Sequence, residues 1–236
     1  MAKEDIKLSL EEMEKAGVNF GHKVSKLHPK MKMYVSGMKN GVHLFDLEKT
    51  SKEFTKALAF ISRIISEGKT LVFVGTKIQL RLLIKDAAQE CAIPYVTERW
   101  LGGTFTNFET IQKRVNYFKD LEKKRETGEL EKYTKKERLN FDREIASLKI
   151  KFDGVRNMSK LPDAVFIFGL DKDITCAREA KRKGIKIISI VDTNVNPDIV
   201  DYLIPANDDA ISAVRYILEK VKDVIINAST TNKLKQ

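Results

Sequence analysis

The chain has 236 residues, 42% of them hydrophobic and 32% charged, and its 43 lysines and arginines exceed its 33 acidic residues for a net charge of +10. That length and apolar content suffice for a real core and exclude wholesale disorder. The positive balance points to polyanions, nucleic acid before an anionic membrane surface.

From Leu8 to Ala16, apolar residues at Leu10, Met13 and Ala16 predict a short helix with one buried stripe. Residues 20 to 45 follow, with no acidic residue, five lysines and all three histidines. Gly21, Pro29, Gly37 and Gly41 punctuate this segment, so it reads as loops joining short strands. A helix over 47–66 comes next, with Phe54, Leu58, Ile61 and Ile65 on one face. "KTLVFVGTK" is a continuous apolar run ended by glycine, a strand buried on both faces. A helix over 79–91 and a short strand "IPYVT" complete the first half.

The same alternation resumes later. "DAVFIFG" reads as a strand, "DITCAREAKRKG" as a helix ending at Gly184, and "IKIISIVDT" and "DYLIPA" as strands, before a long closing helix. Strands alternating with helices imply a three-layer, doubly wound parallel α/β sheet. Between the halves, apolar residues fall at Val115, Phe118 and Leu121, then at Leu130, Tyr133, Phe141, Ile145 and Leu148. Spacings of three and four over a charged background predict two antiparallel helices, a coiled-coil hairpin turning at Thr127-Gly128. A helix of about 18 residues spans roughly 27 Å, so the hairpin should protrude. It carries 13 lysines and arginines against eight acidic residues between Lys113 and Lys151. The expected organisation is an α/β domain over 1–103 and 152–226, a hairpin insertion over 104–151, and a flexible polar tail over 227–236.

The two cysteines, Cys91 and Cys176, have neither CxxC spacing nor adjacent histidines. They read as small buried thiols in a reducing compartment. The N-terminal stretch has no apolar signal-like segment, and no apolar run approaches the about 20 residues of a membrane span. The expectation is a cytosolic, soluble protein without a membrane partner.

Several segments approximate catalytic or phosphate-binding motifs. "EGKT", residues 67–70, has Gly-Lys-Thr, but Arg63 stands where a Walker loop needs glycine, and the segment precedes a strand. "FVGTKIQ" does follow a strand and open a helix, where α/β sheets bind ligands, but has a single glycine. His22, His28 and His43 share one segment without metal-ligand spacing, so neither a metal nor a cofactor is expected. Asp192 follows an apolar strand, yet no nucleophile or base can be placed beside it from sequence. Turn and helix capping account for most of the carboxylates.

The basic segments offer more. Lys23, Lys26, Lys30, Lys32 and Lys39 are interleaved with His22, His28 and Tyr34, cations for phosphates beside rings for bases or riboses. In "ERWLGGTFTNF", residues 98–108, Arg99 and Trp100 add a guanidinium and the only tryptophan. Gly102 and Gly103 permit close backbone approach, and Thr104, Thr106 and Asn107 offer hydrogen bonds. These residues are the candidate RNA contacts. Two rivals stay open: an α/β enzyme or nucleotide-binding protein using the "GTK" and "LGGT" turns, and a scaffold that binds protein alone.

The chain also resembles the family of the second protein of the small ribosomal subunit, in its bacterial form. "GVNFGHKVSKLHPKMKMYV", "FVGTKIQ", "PYVTERWLGGTFTNFETI", "LPDAVFIF" and "IVDTNVNPDIVDYLIPANDDA" occur in that family's order and spacing. The resemblance implies a non-enzymatic protein on a flavodoxin-like or Rossmann-like sheet with a protruding helical hairpin. It implies binding to small-subunit ribosomal RNA between head and body, with neighbouring ribosomal proteins. It further implies helping to anchor the first small-subunit protein for capture of messenger RNA, with no small-molecule substrate. The family commonly carries arginine, tryptophan and asparagine where this chain has Lys26, Leu27 and His28, which removes a bidentate fork and a stacking face.

Overall fold

The computed structural model describes residues 8–233. Helix α1 (Leu10–Lys15) opens it, with the Ser9 side chain accepting a hydrogen bond from the Glu12 amide at 3.3 Å. The lysine-rich segment then forms an antiparallel sheet of β1 (Phe20–Lys23), β2 (Val35–Lys39) and β3 (Val42–Phe45), in the order β1-β3-β2. Asn40 and Gly41, at φ 52 and 75°, make the β2–β3 turn. Two successive positive φ angles match the twist of a tight hairpin, and Asn-Gly adopts them readily. The sequence expectation of loops and short strands therefore closes into a sheet of its own.

Helix α2 (Leu47–Ser66) begins where the Asp46 carboxylate accepts from the amides of Glu48 and Lys49, at 3.1 and 3.3 Å. Beyond it lie β4 (Leu71–Val74), α3 (Arg81–Glu90) and β5 (Tyr95–Val96). After the two long helices α4 (Phe108–Glu126) and α5 (Lys135–Phe152) come β6 (Ala164–Ile167), α6 (Ile174–Lys183), β7 (Lys186–Val191), β8 (Tyr202–Pro205) and α7 (Ile211–Lys233). Strands β4 to β8 form a five-stranded sheet in the order β5-β4-β6-β7-β8, every neighbouring pair parallel.

All four residues of both β4 and β6 are buried, which is why these strands read as continuous apolar runs rather than as alternation. Leu71, Phe73, Ala164, Phe166, Ile188 and Ile190 pack with residues of α2, α3 and α7. Val72, Val74, Val165, Ile167, Ile187 and Val191 point the other way, onto α6, Trp100, Phe105 and the bases of α4 and α5. On α2, Phe54, Leu58 and Ile61 are fully buried as their spacing requires, while Ile65 packs at the margin.

Helices α4 and α5 bury Val115, Phe118, Leu121, Ile145 and Leu148. Gln112, near the start of α4, donates to the Ser159 carbonyl beyond the end of α5 at 2.7 Å. Arg125, near the end of α4, reaches Asp142 at 3.5 Å. The two helices therefore run antiparallel. Gly128, at φ 76°, makes the turn, and Thr134 with Glu137 forms a reciprocal capping box that starts α5. Helix α7 continues to Lys233, through residues 227–233 that the sequence assigns to a polar tail. Val224 and Ile225 carry the helical stripe on the core up to that boundary, and Ala228, past it, is buried as well. Residues 234–236 lie outside the described residues.

Candidate nucleic-acid interface

The turn between β5 and α4 folds around a carboxylate. Glu179, projecting from α6, accepts from Trp100 Nε1 at 3.2 Å and from the Gly103 amide at 2.8 Å through one oxygen. Through the other it accepts from the amides of Phe105 and Thr106, at 3.0 and 3.2 Å, and from Thr106 Oγ1 at 3.3 Å. Gly103 stands at φ 92°, a conformation that side chains rarely adopt. Burial pushes the Glu179 carboxyl upwards, but the hydrogen bonds from Gly103, Phe105, Trp100 and Thr106 outweigh it and hold the group below its ordinary value. Converging backbone amides are the means by which proteins hold phosphate. Here the anion is the protein's own.

Trp100 is buried, its ring edge-on to Phe105 with centroids 4.7 Å apart, and its single donor is used by Glu179. Thr104 Oγ1 donates to the Leu101 carbonyl at 2.6 Å, and the Asn107 side chain accepts from Thr110 Oγ1 at 2.9 Å. Of the sequence candidates in this turn, Arg99, Gly102 and Asn107 are exposed. Trp100 and Thr104 are buried, and Gly103 and Thr106 are half-buried.

The "GTK" turn after β4 also gives its donors to a carboxylate, through one residue. Asp173 accepts from the Thr76 amide at 3.0 Å and from Thr76 Oγ1 at 2.8 Å. Lys77 Nζ lies 2.7 Å from Asp208 Oδ1 and 2.7 Å from Asp209 Oδ1. The Asp208 contact is an ion pair off the line of a hydrogen bond, and the ammonium directs its donors to Asp209 and to the Asp208 carbonyl at 3.1 Å. A cation already flanked by two carboxylates has little charge left for a ligand phosphate. Burial, opposed by Lys77 and reinforced by Asp192, pushes Asp208 up to about 6.

His22 closes this cluster from β1. Its Nδ1 lies 3.0 Å from Asp192 and its Nε2 3.4 Å from Asp209, while its amide donates to Thr193 Oγ1 at 2.9 Å. A Cβ on the adjacent Gly21 would stand 2.6 Å from the Thr193 methyl, so glycine lets β1 approach this end of β7. The hydrogen bond to Asp192, opposed by burial and aided by the charges of Asp192, Asp209 and Asp208, raises the His22 pKa. With both ring nitrogens facing carboxylates, the surroundings favour the imidazolium, in which both nitrogens donate. Thr193 is fully buried. The Asp192 neighbourhood is thus a packed ionic latch. Among the described residues, no group of three or more His, Cys, Asp or Glu is arranged to hold a metal ion.

A folded pKa raised above the unfolded value gives stability that is complete below the unfolded value of 6.5 and lost as pH climbs through the folded one. His22→Gln should therefore cost more stability at about pH 6 than at about pH 9. Urea unfolding of both proteins at the two pH values checks this, and a pH-independent difference would refute the charged latch.

The remaining candidates sit on the small antiparallel sheet and its preceding turns. Lys23, Lys26, Lys32 and Lys39 are exposed, and none forms a salt bridge among the described residues. Lys30 is paired with Asp198. His28 caps the turn that follows it, its Nδ1 accepting from the Lys30 amide at 3.3 Å, and Tyr34 is half-buried. Sequence reasoning missed Glu179, which lies 76 positions from its partner Gly103. Its signal is a single acid beside the buried Cys176, Ala177 and Ala180 of α6.

These features define an α/β protein whose LGGT and GTK turns spend donors on its own carboxylates, and whose Lys23, Lys26, Lys32 and Lys39 are exposed and outside any salt bridge among the described residues. Residues 13–228 match the family model described as Ribosomal protein S2. The chain is 43% identical to the small ribosomal subunit protein uS2c of Guillardia theta, over 94% of each chain. It is 41% identical to the small ribosomal subunit protein uS2 of Francisella tularensis subsp. novicida (strain U112), covering 93% of this chain and 92% of that one. With the uS2 of Roseiflexus sp. (strain RS-1) the identity is 42%, covering 93% and 84%. The chain belongs to the ribosomal protein S2 family. No helix among the described residues is long and apolar enough to cross a membrane.

Proposed function

We propose that the protein is a non-enzymatic structural constituent of the small ribosomal subunit that binds ribosomal RNA. The observation that carries this beyond family membership is the division of charge. The cradles that would serve a nucleotide enzyme hold Glu179 and Asp173, while Lys23, Lys26, Lys32 and Lys39 stand exposed and outside any salt bridge among the described residues. Cations in that state neutralise phosphates on binding and release counterions.

In this reading the strands β4 to β8 and their helices form a doubly wound, three-layer body on either side of an insertion. Residues 104–151 form a protruding coiled-coil hairpin. The RNA contacts are drawn from His22, Lys23, Lys26, His28, Lys30, Lys32, Tyr34, Lys39, Arg99, Gly102 and Asn107, with Trp100, Gly103, Thr104 and Thr106 shaping the turn from within. Arg99 and the exposed lysines touch phosphate, and Trp100 braces the turn behind them. The protein sits in the cytoplasm on the ribosome, between head and body, and helps to anchor the first small-subunit protein for capture of messenger RNA.

Tagged protein from a lysate should co-migrate with small subunits and translating ribosomes on a sucrose gradient, with partial release as salt rises. The combined variant Lys23→Ala, Lys26→Ala, Lys32→Ala and Lys39→Ala should leave the particle at lower salt than the wild type. Wild-type protein remaining at the top of the gradient under gentle conditions would overturn the assignment.

A further inference from the structure

A second basic site is built from elements other than the lysine-rich sheet. The end of α5, strand β5 and helix α3 enclose a cleft of about 250 Å³ whose walls include Lys85, Tyr95, Arg99, Lys149, Ile150 and Lys151. Two acids, Glu98 and Asp153, also face it. Glu98 is taken by Arg81, which donates to its carbonyl at 2.9 Å and pairs with its carboxylate at 2.5 Å. Asp153 lies 3.6 Å from Arg156. Glu98 is thus answered by an arginine that does not line the cleft, and Asp153 shares Arg156 with Glu122, which lies 3.2 Å from it. Lys85, Arg99, Lys149 and Lys151 form no salt bridge among the described residues.

The cleft also has an apolar wall. Ile150 is 63% exposed between two lysines on α5, and Tyr95 is half-buried beside it. Gly154 fixes the geometry. A Cβ at that position would stand 2.1 Å from the Tyr95 carbonyl oxygen and within 2.8 Å of its ring. Only glycine lets the end of α5 press so closely on β5.

We infer that this cleft receives one unpaired nucleotide of single-stranded RNA, with flanking phosphates held by Lys85, Arg99, Lys149 and Lys151 and the base laid on Ile150 and Tyr95. Four cations around an apolar wall match the alternation of phosphate and base along a single strand. A cleft of this size has no room for a duplex. An acidic peptide would answer the charges but gives the apolar wall no role. The inference rests on the RNA-binding reading above and gives it a second contact, joined to the first through Arg99.

The test uses full-length protein and a short fluorescein-labelled oligouridylate, read by fluorescence anisotropy across a salt series. The combined variant Lys85→Ala, Lys149→Ala and Lys151→Ala should weaken binding about tenfold or more and reduce the log–log salt slope by about 2. Ile150→Ser should weaken binding with the salt slope unchanged. The inference falls if the cleft variant binds as the wild type does, if the wild type does not bind the probe, or if polyglutamate displaces it as readily as unlabelled oligouridylate. Any of these results with wild-type protein still migrating on small subunits removes the cleft and leaves the ribosomal reading standing. Wild-type protein absent from small subunits removes the ribosomal reading itself.

Discussion

Replacing Glu179 with alanine should cost about 3–5 kcal/mol of stability, because it strands the donors the carboxylate satisfies. Trp100 Nε1 and the Phe105 amide are buried, and the Gly103 and Thr106 amides are partly buried. Water cannot replace the missing acceptor at all of them. Glu179→Gln keeps the volume but turns an amide N–H₂ towards N–H donors, so it should recover only part of the loss. The folded carboxyl lies below its ordinary value, so the stabilisation is complete above the unfolded pKa and is lost as pH falls through the folded one. Trp100 is the only tryptophan and reports directly. Urea titration followed by its emission should show an earlier midpoint and a red-shifted native spectrum in Glu179→Ala. An unfolding free energy within about 1 kcal/mol of the wild type would show that the turn stands without its carboxylate.

Gly154→Ala should be the other severe change, at about 3 kcal/mol. The added methyl would meet the Tyr95 carbonyl at 2.1 Å and ring carbons at 2.7 and 2.8 Å. The carbonyl belongs to β5, paired with β4, so relief requires moving a strand or the end of α5. For a chain of this size the loss corresponds to a melting temperature lower by about 6–12 °C. Gly102→Ala is the control, since its Cβ would meet nothing within 4 Å. Equal melting temperatures for the two variants would refute the close-approach argument.

The fold was legible wherever its physics is local. Strands β4 and β6 announce themselves as short unbroken apolar runs because helices cover both their faces. Helix α2 carries both its stripe and its cap in its own residues, and its bounds agree with the sequence reading. The hairpin was visible in the spacing of Val115, Phe118, Leu121, Ile145 and Leu148, all buried. The interior of the candidate site was much less legible. Its bonds join residues far apart in the chain: His22 to Asp192, Lys77 to Asp208, Gly103 to Glu179. No periodicity records such pairings, because they depend on how the sheet closes. The turn "LGGTFTNF" was legible as an anion cradle in kind, through its glycines and threonines. That its anion is a side chain of α6 emerges only in three dimensions. The cleft at Ile150 is of the same sort, since its cations come from 85, 99, 149 and 151 and no local stretch contains them.

The filled cradles bear on how such a protein shares a cell with free nucleotides. Glu179 and Asp173 act as tethered competitors for their turns, with an effective concentration in the millimolar range or above. A diffusing phosphate would have to displace a carboxylate that cannot leave, and would gain only the contacts that carboxylate already makes. Free phosphate should therefore find no open donors at these two turns, while the exposed lysines should respond to polymers, whose many linked phosphates supply the avidity that single ones lack.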